Sequence, residues 1–162
     1  MGKGDRVSNR LTFRQACAED FTAVLDLACQ LAAHIEAARP PLTAQQFETF
    51  YLRPDAPMRL LLAVMHDRVA GMISWTLTHE LYSADARVYI SDLAVDLAAR
   101  GRGVGAALMM EVIAWAHAHG ADKLGWDVWR HNETAKAFYE SIGGHIDPEA
   151  LPYVLDLQEA QP

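Results

Sequence analysis

Three glycines and two arginines fall within the six residues from Arg100 to Gly105, in the stretch DLAVDLAARGRGVGAAL that runs from Asp92 to Leu108. A loop that only had to turn would need one glycine. The segment leaves an apolar strand pattern at Val95 and enters an apolar helix pattern near Gly103. A helix start of this kind exposes main-chain N–H groups and the positive end of the helix dipole, and so attracts anions. Gly101, Gly103 and Gly105 have no Cβ to keep a diphosphate from the main chain. Arg100 and Arg102 add charge where it would sit. A flexible turn with solvated arginines is the plainer reading. The agreement of strand, arginines, glycines and helix favours phosphate binding.

Two familiar phosphate loops fit poorly. The P-loop ends in Gly-Lys-Ser/Thr, and Gly105-Ala106 supplies neither the lysine nor the hydroxyl. Gly101 to Ala106 does satisfy the dinucleotide pattern G-x-G-x-x-A. That turn should follow its strand almost directly, however, whereas Asp96 to Arg100 intervene, and too little chain remains for a doubly wound sheet.

A second group of residues could handle protons. Asp92 interrupts Val88, Ile90 and Ala94, its partners by strand alternation, so it is either a buried carboxylate or one that faces a cleft. Glu36, after the first helix's last turns, and Glu80, beyond the third strand, could reach an acceptor pocket, although solvated surface charge is the plainer reading of both. Tyr82 lies in the irregular stretch from Glu80 to Ala86, where an aromatic ring could face an ammonium or simply solvent. His117 and His119 are two apart on a helix and do not face one another. No His, Cys or carboxylate cluster has zinc spacing, so no metal is expected.

The elements that must position these groups follow from period and punctuation. Strands are predicted at Leu11–Arg14, Leu60–Met65, Val69–Thr78, Arg87–Val95, Lys123–Val128 and Tyr153–Leu157. Helices are predicted from Glu19 to about Ala37, with Phe21, Leu25 and Ala28 or Ala32 inward, and from the Thr43/Gln46 capping box through Tyr51. Two more are predicted at Val104–His119 and Glu133–Ile142. His66-Asp67-Arg68 joins two strands as a hairpin. Val104, Leu108, Val112 and Trp115 make one apolar stripe. Trp75 and Trp126 read as core, and Trp129 fits either core or surface. The order implies an α/β (α+β) fold, a mixed sheet with helices on both faces.

At 162 residues the chain predicts a single domain, 1–162, with residues 1–10 flexible. The longest apolar run, Leu60–Met65, is far too short to span a membrane. The first ten residues have neither the apolar core of a secretory signal nor a myristoylation pattern. A cytoplasmic protein with no membrane partner is expected. If Cys17 and Cys29 both lay on the first helix, they would stand roughly 18 Å apart, beyond the ~7 Å that a disulfide tolerates. The formal charge of −7 argues against nucleic acid and suits a cationic substrate.

Arg100-Gly101-Arg102-Gly103-Val104-Gly105 resembles the R-x-x-G-x-G/A pyrophosphate loop of GNAT-type N-acetyltransferases, preceded by Leu93-Ala94-Val95 as that family's fourth strand ends. Downstream, Asn132 to Glu140 followed by Gly143 is similar to the family's N-x-x-A-x-x-F-Y-x-x-x-G element. The resemblance extends from Leu11 onward. It implies a mostly antiparallel sheet whose fourth and fifth strands splay apart. It implies acetyl-CoA as acyl donor, with the diphosphate on the amides from Arg102 to Ala106. The pantetheine arm would then lie along the backbone of Leu93 and Val95, with Asn132 on its other side. Asn132, Ala135 and Tyr139 share one helix face by spacing. Ala135, Phe138 and Ile142 make the adjoining apolar stripe, which gives Phe138 a packing role beside the cofactor.

The resemblance also implies a reaction at a thioester. A lysine-like amine of pKa about 10.4 must first lose a proton, which costs roughly 4.6 kcal/mol at pH 7. A base or desolvation must lower that cost. The resemblance puts the Val95 N–H against the developing oxyanion and makes Tyr139 the acid that protonates sulfur. A phenol near pKa 10 donating to a thiolate near 8.5 is uphill by about 2 kcal/mol, and thiolates leave well unaided. Tyr139→Phe is therefore expected to slow turnover substantially without abolishing it. The setting Tyr89 to Val95 resembles that of polyamine and aminoglycoside 3-N-acetyltransferases, where an acid at the place of Asp92 meets the cationic substrate. Ser91 departs from the second acid of the polyamine enzymes.

The expected activity is acetyl transfer to a primary amine of a small, cationic molecule. The alternatives are transfer to a protein lysine or N-terminus, and a silent acyl-CoA-binding module. By analogy with the family a homodimer is expected, with the apolar end Leu151–Leu157 as its contact.

Overall fold

The structure, a computed structural model, describes residues 11–155. The chain forms two compact units, one up to Trp129 and one from Arg130. The first unit holds strands β1 (Thr12–Gln15), β2 (Arg59–Met65), β3 (Arg68–His79), β4 (Ala86–Val95) and β5 (Ala121–Gly125), and helices α1 (Phe21–His34), α2 (Ala44–Phe47) and α3 (Val104–Ala118). The second holds α4 (Glu133–Ser141). The strands lie in chain order in one sheet, antiparallel except for β4 and β5, which run parallel.

Local chemistry accounts for several of these elements. His66 and Asp67 both adopt positive φ, +51° and +59°, which is what a two-residue hairpin turn demands. The predicted capping box forms at α2: Gln46 N donates to Thr43 Oγ1 (3.2 Å) and Thr43 N to Gln46 Oε1 (3.0 Å). Beyond Phe47 that helix continues as a wider π turn, Glu48–Leu52.

One sheet face packs on α1 and α2, where Val24, Leu27 and Phe47 meet Leu60, Leu62, Met72 and Ala94. The other face packs on α3, which buries Val104, Leu108, Val112 and Ala116. There Trp75 meets Trp115 edge to face at 5.5 Å, and the Arg59 guanidinium lies 4.9 Å from the Trp115 ring centre. α3 approaches closely because β3 carries Gly71. A Cβ there would come within 3.0 Å of both the Ala94 carbonyl oxygen and Val104 Cγ1.

The structure corrects four sequence expectations. α1 turns Val24 and Leu27 inward and leaves Leu25 half-buried, because Met72 and Leu62 on the sheet select that stripe. α1 spans Phe21–His34, shorter at both ends than the expected Glu19 to about Ala37, so that Cys17 precedes it, and both thiols are free. β5 is Ala121–Gly125, not Lys123–Val128, because its pairing with β4 runs from Ala86↔Ala121 to Tyr89↔Gly125 and ends there. The expected last strand is not formed over Tyr153–Leu155, whose side chains are exposed and find no strand to pair with among the described residues. Its remaining residues, Asp156 and Leu157, lie outside the described residues, as do residues 1–10.

Candidate active site

The register of β3 against β4 slips by one residue at Ser91: Trp75 faces Ile90, but Ser74 faces Asp92. The extra residue is a β-bulge, which reverses side-chain alternation along β4. Val88 and Ile90 point toward α3, while Asp92 and Ala94 point to the face covered by α1 and α2. Asp92 therefore does not share a face with Val88 and Ile90 as simple alternation predicts.

The same slip sits where β4 loses β5. The parallel ladder ends at Tyr89, so Ser91 to Val95 have β3 on one side and no strand on the other among the described residues. Asp96 N donates to Ala70 O on β3 (3.0 Å). Backbone groups alternate in direction along a strand, so the N–H and C=O of Val95, and those of Leu93, point to the open side. On that side Arg100 Nε donates to Val95 O at 3.1 Å.

From Asp96 the chain makes a single 3-10 turn, Leu97–Ala99, braced from two directions. Asp96 caps it, its Oδ1 accepting from Ala98 N (2.9 Å). Gln30 on α1 clamps it, donating to Asp96 Oδ2 and accepting from Leu97 N, both at 3.0 Å. Gly101 and Gly103 then take left-handed φ of +72° and +79°, and a Cβ at either would meet nothing within 4 Å. Their conformation, not their packing, calls for glycine. Gly103 is the N-cap of α3 and offers no side chain to its first turn. The amides there lack intrahelical acceptors and stay available to an anion. Arg102 is exposed beside them; Gly105 and Ala106 lie in the first helical turn.

Asp92 is half-buried. Its Oδ2 accepts from Ser74 Oγ at 2.8 Å, and no cation pairs with it among the described residues. Burial, together with the negative charge of Asp92, pushes the Tyr51 phenol above its ordinary pKa. On the same sheet face, Tyr89 donates its hydroxyl to Asp127 Oδ2 at 2.6 Å. The other acids expected near the acceptor are not joined to Asp92. Glu80 pairs with Arg87 (3.0 Å), Glu36 is exposed just past α1, and Tyr82 is 91% exposed in the β3–β4 connection. Among the described residues no group of His, Cys, Asp or Glu could hold a metal, and no helix is long and apolar enough to cross a membrane.

In the second unit Asn132 is the N-cap of α4, its Oδ1 accepting from Ala135 N at 3.0 Å. Its amide nitrogen is not used by that cap. Phe138 and Tyr139 are half-buried and meet edge to face at 5.1 Å, and burial raises the Tyr139 phenol.

Sequence reasoning missed Gln30, Tyr51, Gly71, Ser74 and Asp127. Only Ser74 carried a local signal: it is a lone hydroxyl within the apolar run from Val69 to Trp75.

Residues 22–144 match the acetyltransferase (GNAT) family. The chain belongs to the GNAT acetyltransferase family. It is thus an N-acetyltransferase, in a family that generally draws its acetyl group from acetyl-CoA. Among solved structures, a mutant of the BH1408 protein from Bacillus halodurans is 26% identical, with 89% of this chain and 99% of that one covered and a TM-score of 0.77. A probable acetyltransferase is 22% identical over 92% and 99%, TM-score 0.78. The aminoglycoside acetyltransferase meta-AAC0020 from an uncultured soil metagenomic sample, in complex with sisomicin, is 16% identical over 94% and 99%, TM-score 0.76. The last two share the fold of this GNAT chain. No curated protein sequence matches it.

Proposed function

We propose that this GNAT enzyme, working in the cytoplasm as one domain over residues 1–162, transfers acetyl from acetyl-CoA to the primary amine of a small cationic molecule. One observation carries the reading. The open edge at Leu93 and Val95 runs into the left-handed glycines and the uncapped start of α3. A strand edge suits an extended, amide-bearing arm, and unshielded main-chain donors suit a diphosphate. Coenzyme A presents these groups in that order.

Leu93, Ala94 and Val95 would hold the arm, and Arg100 to Ala106 the diphosphate. Asn132, Ala135, Phe138 and Tyr139 join them on the strength of their motif. The cofactor supplies an acetyl thioester when bound. Asp92 receives the ammonium and takes up its proton at Oδ1. The freed amine would form its C–N bond as the C–S bond breaks, with the Val95 N–H placed to donate to the thioester's carbonyl oxygen and Tyr139 to return a proton to the departing sulfur. Burial favours the neutral form of Tyr139, the form able to donate.

A cationic acceptor is supported by Asp92 itself. A half-buried carboxylate without a counter-charge is costly unless a ligand supplies one. Ser91, the bulged residue, gives no second acid beside it, so the reading is not narrowed to polyamines. Glu36, Glu80 and Tyr82 stand further from this role, and the family analogy leaves a homodimer as part of the reading.

The test is an acceptor screen with acetyl-CoA and a thiol probe, over polyamines, aminoglycosides, aminoalkylphosphonates, amino acids and lysine peptides. Thiol release with a small cationic amine is the expected result. Turnover confined to peptides would move the acceptor to protein. Saturable coenzyme A binding by calorimetry, with no turnover, would leave a silent binding module. No affinity for coenzyme A would remove the reading altogether.

A further inference from the structure

Ser74 occupies a position where the fold asks for an apolar side chain. It is 1% exposed, follows Ile73 and precedes Trp75 in β3, and lies in register between Leu60 of β2 and Asp92 of β4. Met72 and Ala94 lie on the same sheet face, in the core beneath α1 and α2. A hydroxyl taken out of water into such surroundings costs free energy unless it is bonded. Its hydrogen bond goes to Asp92 Oδ2 at 2.8 Å. It ties no loop and caps no helix.

The bulge explains why Asp92 needs such a partner. By inserting Ser91, β4 swings Asp92 out of the alternation that precedes it, at the point where β5 has left. A carboxylate so placed is free to rotate about χ2 unless a neighbour fixes it. Ser74 reaches one oxygen and leaves Oδ1 without a protein donor among the described residues.

The geometry points to Ser74 as a positioning residue, whose buried hydroxyl holds the Asp92 carboxylate in the orientation that presents Oδ1 to the acceptor amine. This rests on the reading of Asp92 given above. Acceptor geometry is worth large factors in rate, because small displacements of a reacting group are costly. The hydroxyl should therefore matter to the amine and not to the cofactor.

Threonine and valine at position 74 test this, since they share a shape and differ by the hydroxyl. S74T and S74V are compared for kcat/KM with the fastest of four amines (spermidine, kanamycin, lysine and a lysine peptide) at saturating acetyl-CoA. The same pair is then made in a D92N background. The expected result is that S74T exceeds S74V about tenfold, that both keep the wild-type KM for acetyl-CoA, and that the difference vanishes with D92N. A role in packing alone would leave S74T and S74V equal, or would carry their difference unchanged into D92N; either outcome overturns the inference. S74A, which removes the hydroxyl with no added bulk, should match S74V if the larger side chains disturb folding; wild-type kcat/KM in S74A would overturn the inference equally. D92N with wild-type kcat/KM, or no turnover of any amine, would overturn the Asp92 reading and this inference with it. An impaired D92N with S74T equal to S74V would sink the Ser74 role alone.

Discussion

Asp20 and Asp92 are both acids that fold into apolar surroundings, and their partners differ in number and kind. Asp20 is 7% exposed at the start of α1 and is held on all sides. Arg14 donates to it twice, at 2.6 and 2.8 Å, and the Cys17 amide (2.9 Å) and thiol (3.1 Å) donate to Oδ2. Asp92 has one hydroxyl and no cation. A buried charge with a full set of partners joins β1 to α1 and is architecture. On the proposed function, the charge left short of partners is the one that a cationic ligand would complete. The contrast separates two acids that a sequence would treat alike.

The largest expected effect lies on the unpaired side. Asp92→Asn keeps an acceptor for Ser74 and removes the charge. It should lower kcat/KM for the amine by about a thousandfold, within the range of a lost acid–base group, while the unfolding temperature stays level or rises because an uncompensated charge has gone. Steady-state thiol release and thermal unfolding of the same sample check both halves. A D92N protein that unfolds earlier with intact turnover would put Asp92 beside Asp20 as a framework residue.

Asp20→Asn should behave in the opposite way, costing about 2 kcal/mol of stability with activity per folded molecule unchanged. Arg14 above all, with help from the Cys17 amide, holds the Asp20 carboxyl far below the usual carboxylate range. Its stabilising contribution is thus whole above the unfolded pKa of about 3.9 and is lost as pH falls toward the folded value. Urea unfolding of wild type and D20N should differ by a constant amount from neutrality to about pH 5 and converge below about pH 4. A gap that persisted in acid would mean that something other than the ion pair carries it.

How far these two acids could be distinguished from the sequence depends on the kind of information involved. The Thr43 box, the bounds of α3 and α4 to within a residue, and the hairpin at His66-Asp67 are local events, fixed by residues a few positions apart, and they read closely, whereas Arg68, expected in the turn, begins β3 and α1 stops at His34 rather than near Ala37. The α3 stripe read correctly too, because Val104, Leu108 and Val112 repeat at one period. The bulge at Ser91 did not, since it exists only in the register between β3 and β4. With it went the face of Asp92, the place where β5 ends, and the Ser74 contact. Gln30 and Asp96 are 66 residues apart, and nothing near either one announces the clamp. What requires glycine at position 71 is the approach of Val104 on α3, more than thirty residues away in the chain.

The smallest effect concerns a third carboxylate, intermediate between the first two. Asp127 is exposed and receives the Tyr89 hydroxyl at 2.6 Å, a neutral donor in place of a cation. That bond first, and burial second, push the Tyr89 phenol up to about 12. A raised folded pKa contributes stability that is whole below the unfolded value of about 10 and lost as pH climbs through the folded one. Asp127→Ala should therefore cost less than about 1 kcal/mol at neutral pH, the scale of an exposed hydrogen bond, and the cost should vanish in strong alkali. Tyrosinate absorbance, taken as a difference between wild type and D127A, should shift one phenol from near 12 toward 10. The pair sits at the last rung of the β4–β5 ladder, Tyr89 opposite Gly125, so it ties the strands just before they part. If D127A instead removed activity as completely as D92N and left stability untouched, partner count would no longer separate the framework acids from the working one. The amine would then have to be met by two carboxylates on one sheet face.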